Sequence, residues 1–315
     1  EGVLNISGGS VCANGELEIG GSGTMKLGGN LAVTGALNLN DGATTAFAGN
    51  KIDVSGGTLK LAGTHSMDLI TTNDQTKLQI NNSANVSRTD SGTSSVGSLT
   101  FSQSGSSGSP SMSVSNMGLT VASATQVSGA SLNHSNGILT FQSAPSLSNS
   151  SSVSVSNGEL VLQNGGTVNG STLQLNASKF KPTGSISVTN GGIFTLNETS
   201  SVVLQGDTTL NQSGSVNWSE LDLGGNKLSL GSTVSSFTVQ KALNIANGES
   251  LAGSSSDINL RDTLVIADGG ELSSGTGNVQ ISGALSITDG GVLSSGTGNT
   301  SILGALTLNG RIAQG

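Results

Sequence analysis

Few residues in this sequence could carry out chemistry, and most of those that could are acids. Three close pairs of carboxylates stand out: Glu16 and Glu18, Glu220 and Asp222, and Asp257 and Asp262. Paired carboxylates could cleave a glycosidic bond by acid–base catalysis. Each pair also fits outward-facing strand or turn positions, and the surrounding pattern favours this interpretation. We therefore expect no catalytic residue among them and no enzymatic activity.

The residues that commonly bind metals are equally scarce, being limited to His65, His134 and Cys12 apart from the acids. This set cannot supply the usual ligands of a zinc site. The phosphate-binding glycine loop is absent, and the stretch 275–278 lacks the Asp of calcium-binding repeats. We expect no metal and no cofactor. His134 is expected at an outward or edge position, and Cys12 is interpreted as a small strand residue.

The composition excludes several classes of protein. With a net charge of −8, the chain is a poor candidate for binding nucleic acid, which needs clustered Lys and Arg. There is no apolar run of about 18 residues, so membrane insertion is not expected. Gly, Ser, Thr and Asn are poor helix formers and dominate the sequence, so few or no helices are expected. No charged-then-apolar signal segment follows Glu1, which predicts a mature product or an excised segment.

A repeat organises the apolar residues. Near the C-terminus a constant step, 264 − 243 = 21, relates the following leucines: Leu243, Leu264, Leu285 and Leu306. A second column with the same step contains Ile245, Ile266, Ile287 and Leu308. Upstream the step varies over roughly 19 to 22 residues, for example from Leu99 to Leu119 and from Phe194 to Val216. Each repeat has apolar–x–apolar strands that end at Gly, Asn or Asp.

This pattern predicts an all-β protein, a right-handed parallel β-helix of about 15 coils with roughly 21 residues and three short strands each. One coil cannot bury its apolar side chains, whereas stacked coils bury them in a common column. We expect a single continuous solenoid over residues 1–315, about 70 Å long at about 4.8 Å per coil.

The section 91–158 contains no Asp, Glu, Lys or Arg and is rich in Ser. The apolar columns continue through it, so it is interpreted as solenoid and not as linker. Two explanations stay open: drift within a Ser-rich repeat, or an uncharged surface for lateral packing or for glycans.

The repeat pattern reaches both ends of the sequence without an amphipathic helix that could cap it. Unpaired terminal strands are templates for the addition of further strands. Contact between unlike ends produces an open filament. We therefore predict an assembly interface in the N-terminal coil and another in the C-terminal coil, formed by Val3, Leu4 and Ile6, and by Leu306, Leu308 and Ile312.

The segment Gly56–Gly63 and the Gly-Gly-x-Leu turns at Gly269 and Gly290 resemble repeats of autotransporter-type and haemagglutinin-like adhesin passenger domains. That resemblance implies a right-handed β-helix, secretion, display on a bacterial surface and adhesion.

The function expected from these observations is a non-enzymatic, secreted structural protein at the cell surface. It would be a subunit that polymerises with itself, head to tail, into a filament or matrix, with host or matrix glycans as further candidate partners. The first alternative is a monomeric adhesin passenger domain of an autotransporter-like protein. A polysaccharide-active β-helix enzyme is less favoured than either. Ice binding is not favoured because no sustained outward column of Thr is present.

Overall fold

A computed structural model describes residues 3–6, 10–20, 23–27, 30–40, 43–46, 52–54, 57–68, 70–102, 109–123 and 125–313. The chain divides into two compact units, Glu1–Gly158 and Glu159–Gly315. The described residues of both units form β-strands, turns and bends, with no helix among them. The prediction of a single continuous solenoid over both units stays a prediction.

The strands of the first unit are mostly short, although two of them, Thr58–Ser66 and Lys77–Ser87, have 9 and 11 residues. They are β1 (Val3–Ile6), β2 (Ser10–Ala13), β3 (Glu16–Ile19), β4 (Thr24–Leu27), β5 (Asn30–Val33), β6 (Ala36–Leu39), β7 (Thr44–Ala46), β8 (Ile52–Asp53), β9 (Thr58–Ser66), β10 (Ile70–Thr71), β11 (Lys77–Ser87), β12 (Thr93–Val96), β13 (Ser98–Ser102), β14 (Ser111–Ser115), β15 (Gly118–Val121), β16 (Gln126–Ser128), β17 (Ser131–Ser135), β18 (Ile138–Phe141), β19 (Ser146–Ser148) and β20 (Ser152–Ser156).

The second unit is built from strands of the same kind. They are β21 (Glu159–Leu162), β22 (Gly166–Asn169), β23 (Thr172–Asn176), β24 (Lys179–Pro182), β25 (Gly184–Thr189), β26 (Ile193–Leu196), β27 (Ser201–Val203), β28 (Thr208–Gln212), β29 (Gly214–Trp218), β30 (Glu220–Asp222), β31 (Lys227–Leu230), β32 (Val234–Val239), β33 (Leu243–Ile245), β34 (Ser250–Gly253), β35 (Asp257–Leu260), β36 (Leu264–Ile266), β37 (Glu271–Ser273), β38 (Val279–Ile281), β39 (Leu285–Ile287), β40 (Val292–Ser294), β41 (Thr300–Ile302), β42 (Leu306–Leu308) and β43 (Arg311–Ala313).

Within each unit, a strand pairs in parallel with the strand one turn away along the chain. In the first unit the longest sheet contains β3, β6, β9, β11, β14, β17 and β20 in that order. In the second unit the longest sheet runs from β22 through β25, β28, β31, β34, β37 and β40 to β43. This arrangement is a parallel β-solenoid of about 13 turns, which confirms the predicted fold class. The handedness stays a prediction.

The turns have the chemistry that the sequence predicted. Gly248, Gly269 and Gly290 follow Asn247, Asp268 and Asp289, and each of these glycines has a φ between 71° and 82°. A Cβ atom at Gly290 would lie against the Asp268 carboxylate of the turn below. Only glycine therefore fits, because side chains disfavour positive φ and this position also has no space for one.

The predicted register of the C-terminal repeats is confirmed. Strands β33, β36, β39 and β42 pair in sequence order, and their in-register partners are Leu243, Leu264, Leu285 and Leu306. Polar residues align at the same step. Asn278 donates from Nδ2 to the Asp257 Oδ1 atom at 3.0 Å, and the Asn299 N–H donates to the Asn278 Oδ1 atom at 3.0 Å. These ladders join successive turns outside the apolar core.

The prediction of about 15 coils is wrong, because some turns are longer than the basic repeat. Ser83 pairs with Ser111, a step of 111 − 83 = 28. The extra length contains β13, which also pairs with β11. As a result Leu119 pairs with Ser94 on β12 and not with Leu99, contrary to the predicted column.

The core of each unit consists of the alternate residues that point inward. In β36, for example, Leu264 and Ile266 are buried while Val265 between them is half-buried. Burial of one such side chain contributes roughly 1.5–3 kcal/mol. Two edge-to-face aromatic pairs are buried in the second unit. The Phe180 and Phe194 ring centroids are 5.1 Å apart, and those of Trp218 and Phe237 are 5.0 Å apart.

Candidate assembly edges and a lateral groove

The three predicted pairs of acids are all on outward strand or turn positions, as expected. Glu16 accepts a hydrogen bond from the Lys60 ammonium at 2.7 Å, and Glu220 pairs with Lys241 at 2.9 Å. Asp257 accepts hydrogen bonds from Asn278. Asn40 donates a hydrogen bond to Glu18. The backbone N–H groups of Gly224 and Thr263 donate to Asp222 and to Asp262, one to each. These contacts give every acid of the three pairs a structural partner.

His134 is not on the surface, contrary to the sequence-based expectation. It lies in an inward column, between its register partners Val114 and Val155, and only 1% of it is exposed. Neither ring nitrogen has a hydrogen-bond partner. Desolvation by burial lowers the pKa of His134 to about 4, although the nearby Met117 carbonyl opposes that shift. The imidazole is therefore a neutral core side chain near pH 7.

His65 is buried in the same inward face, at the position that pairs with Val86. Its Nε2 atom is 2.8 Å from the Ala62 carbonyl oxygen. Cys12 is exposed and its thiol lies 3.3 Å from the Asn14 Oδ1 atom. In the part of the chain that is described, no three His, Cys, Asp or Glu side chains cluster as metal ligands would.

An acidic corner of the first unit is held by Arg88. Its guanidinium donates two hydrogen bonds to the Asp90 carboxylate, at 2.7 and 2.6 Å, and one to the Met67 carbonyl oxygen. The bond from Arg88 holds the pKa of Asp90 well below its ordinary value, with help from the Gly92 N–H. The Thr89 N–H lowers the pKa of Asp68. These bonds fix the bend at Thr89 and Asp90.

The C-terminal turn has an exposed apolar surface, which we call the C-terminal edge: Leu303, Leu306, Leu308 and Ile312. Leu306 and Leu308 are 48% and 46% exposed, and Leu303 is 67% exposed. Ile312 is half-buried and pairs with the buried Leu293. Strands β41, β42 and β43 are each the last strand of their sheet, so one side of each has no ladder among the described residues.

The N-terminal turn has the corresponding edge, on strands β1, β2 and β3, which are likewise terminal in their sheets. Val3, Leu4 and Ile6 pair with β4, at Thr24, Met25 and Leu27. Leu4 is half-buried, while the side chains of Val3 and Ile6 lie outside the described residues. The sequence did not single out Val11, which is 42% exposed although its register partner Leu31 is buried. We call Leu4 and Val11 the N-terminal edge.

A groove in the second unit was not predicted. The expected column from Phe194 to Val216 is interrupted, because no ladder joins β26 to β29 and the two strands belong to different sheets. Between β25 and β28, Gly184 pairs with Thr208. This step of 208 − 184 = 24 is longer than the basic repeat. The longer step appears in the sequence as irregular spacing of the apolar residues, so it was the signal from which a break in the column could have been predicted.

The groove consists of two depressions that share the lining residues Leu196 and Asn217. One part, of about 310 Å³, lies between β26 and β29, and its lining includes Ile193 and Gln212. The other part, of about 440 Å³, is lined by Leu196, Glu198, Asn217, Ser219, Gln240 and Lys241. Cavities of this size hold small ligands in many proteins.

Comparison of the chain with protein-family models, with curated proteins and with solved structures gives no match. In the described residues, no helix has the length and hydropathy that crossing a bilayer requires.

Proposed function

We propose that this protein is a non-enzymatic extracellular structural subunit that assembles head to tail through its two terminal turns. The observation that carries the proposal is the exposed apolar C-terminal edge, in which Leu306, Leu308 and Ile312 continue columns that are buried one turn earlier. A further turn stacked on β42 and β43 would cover these side chains and pair the open strand sides.

The energetics support this mode of contact. Parallel strands added to an open sheet edge gain a full set of backbone hydrogen bonds, while apolar side chains on the same edge add burial. Leu303, Leu306 and Leu308 are apolar and no charged residue lies among them, although Arg311 is exposed nearby. At the N-terminal edge, Val11 offers an apolar side chain to a partner turn.

The experiment is negative-stain electron microscopy combined with analytical ultracentrifugation over a range of protein concentrations. Head-to-tail stacking predicts fibres one subunit wide, with a mass that rises with concentration. Particles that remain monomeric at every concentration would contradict the proposal and favour a monomeric adhesin passenger domain. Assembly into closed particles would contradict the open, unlike-end contact.

A further inference from the structure

The groove between β26 and β29 is the strongest feature that end-to-end assembly does not use. None of its lining residues belongs to either terminal edge. Exposed side chains of several types line it: Ile193, Glu198, Asn217, Gln240 and Lys241.

The amides of Asn217 and Gln240 form a recognition pair. Gln240 donates from Nε2 to the Asn217 Oδ1 atom at 2.7 Å. Each amide has both a donor and an acceptor group, so this bond does not use the Asn217 NH₂ group or the Gln240 Oε1 atom. A neighbouring donor and acceptor match two adjacent hydroxyl groups, each of which can accept and donate.

The charges of the groove disfavour an anionic ligand. The Lys241 ammonium pairs with Glu220 at 2.9 Å, so its charge is already compensated. Glu198 is exposed and has no ion-pair partner in the part of the chain that is described. Its carboxylate only accepts hydrogen bonds when ionised, and hydroxyl groups donate them. A neutral ligand rich in hydroxyl groups satisfies these conditions, whereas a carboxylate or phosphate would be repelled.

Apolar contact is available beside the polar groups. Ile193 is 51% exposed and Leu196 is half-buried, and both line the part of the groove next to β26. Gln212, on the same side, has a buried Oε1 atom without a hydrogen-bond partner. Sugar rings present hydroxyl edges and a C–H face together, so they can use both kinds of lining.

We propose that this groove binds a neutral oligosaccharide, with Asn217 and Gln240 hydrogen-bonding to ring hydroxyl groups and Ile193 and Leu196 contacting the C–H face. The proposal is independent of filament assembly, since none of these residues lies on a terminal edge. A chain that polymerises without binding sugar, or that binds sugar without polymerising, would therefore separate the two proposals.

The test is a titration of the full chain with cellohexaose, maltohexaose and chitohexaose, followed by saturation-transfer NMR and calorimetry. Hexagalacturonate is the anionic comparison. At least one neutral hexasaccharide is expected to bind saturably at millimolar or lower concentration. Asn217→Ala and Gln240→Ala are expected to weaken that binding about tenfold, the effect of losing about 1.4 kcal/mol of hydrogen bonding.

Gln205→Ala is the matched control, because Gln205 is an exposed glutamine of the same unit outside the groove lining. It is expected to bind like the wild type, and thermal unfolding of all variants verifies that they are folded. Three outcomes would overturn the proposal: no neutral hexasaccharide binds at millimolar concentration, the folded groove variants bind like the control, or hexagalacturonate binds more tightly than the neutral sugars.

Discussion

Leu308 is the register partner of Ile287, one turn further along the chain, yet Ile287 is fully buried and Leu308 is 46% exposed. The two side chains occupy equivalent positions in the same column. They differ in what covers them, since Ile287 lies between two turns and Leu308 has a described turn on one side only. Leu308 is therefore a sensitive position for testing whether another turn is added there.

Leu308→Asp is expected to abolish fibres while the subunit stays folded. A charge at the contact would have to be buried without a partner, which is costly in an interface, whereas it stays hydrated in the free subunit. Thr307→Asp is the control, because Thr307 is an exposed residue of the same strand between the two column leucines. Circular dichroism checks folding and electron microscopy checks assembly. Fibres formed by Leu308→Asp would contradict the proposed contact.

Leu4→Asp is expected to act from the opposite edge. The Leu4 side chain is half-buried, whereas the side chain of its register partner Met25 is fully buried. The fold is therefore expected to tolerate Asp at position 4 better than it would at position 25. Mixing supplies the sharper measurement: Leu4→Asp subunits should still add, through their own unaffected C-terminal edge, to the N-terminal edge at one end of a wild-type fibre, and should stop growth at that end. If the variant neither adds to nor terminates wild-type fibres, the two edges are not partners.

His134 predicts a dependence of stability on pH. Its pKa falls from 6.5 to about 4 in the folded chain, so the neutral form is favoured by folding. The associated stability is fully present above pH 6.5 and is lost as the pH falls from 6.5 to about 4. The loss is about 3 kcal/mol, from about 1.4 kcal/mol per pH unit.

The measurement is urea unfolding of the wild type and of His134→Val at pH 7 and pH 4.5. Valine occupies both neighbouring positions of the column, Val114 and Val155, so it suits the site. The variant should lose less stability between the two pH values than the wild type. Equal losses would show that His134 does not titrate as a buried group.

Glu249 is a buried carboxylate that holds two turns together. Its Oε1 atom accepts a hydrogen bond from the Gly225 N–H, and its Oε2 atom accepts one from the Ala246 N–H, both at 2.7 Å. Glu249→Ala leaves both backbone donors without this acceptor and is expected to cost about 2–3 kcal/mol. Glu271→Ala, at an exposed position one turn later, should cost less than about 0.5 kcal/mol in the same urea titration.

Trp218 is the single tryptophan of the chain and is buried against Phe237, so its fluorescence reports directly on the core of the second unit. The emission should be blue-shifted in the native state and should shift to the red on unfolding. Phe237→Ala is expected to destabilise the unit by about 3–5 kcal/mol, because it leaves a cavity beside the indole. Ile193→Ala, at a half-exposed position, should cost about 1 kcal/mol or less.

The strands, the parallel pairing and most of the register follow from the order of the amino acids alone. The column from Leu243 to Leu306 repeats at a constant step, and a repeat of that length with apolar alternation can bury its side chains only by stacking. The Asn-Gly and Asp-Gly turns can also be recognised in the sequence, because positive φ restricts the residues that can occupy them.

The partners that strands take where the repeat changes phase emerge only in the folded chain. The partner of a strand depends on the length of every turn before it, so the extra residues before Ser111 moved Leu119 beside Ser94. The longer step from Gly184 to Thr208 likewise accompanies the missing ladder between β26 and β29, where the groove lies. The burial of His134 has a local cause instead: His134 is two residues after the buried Leu132 on β17, and alternate residues of a strand point to the same side whatever their polarity.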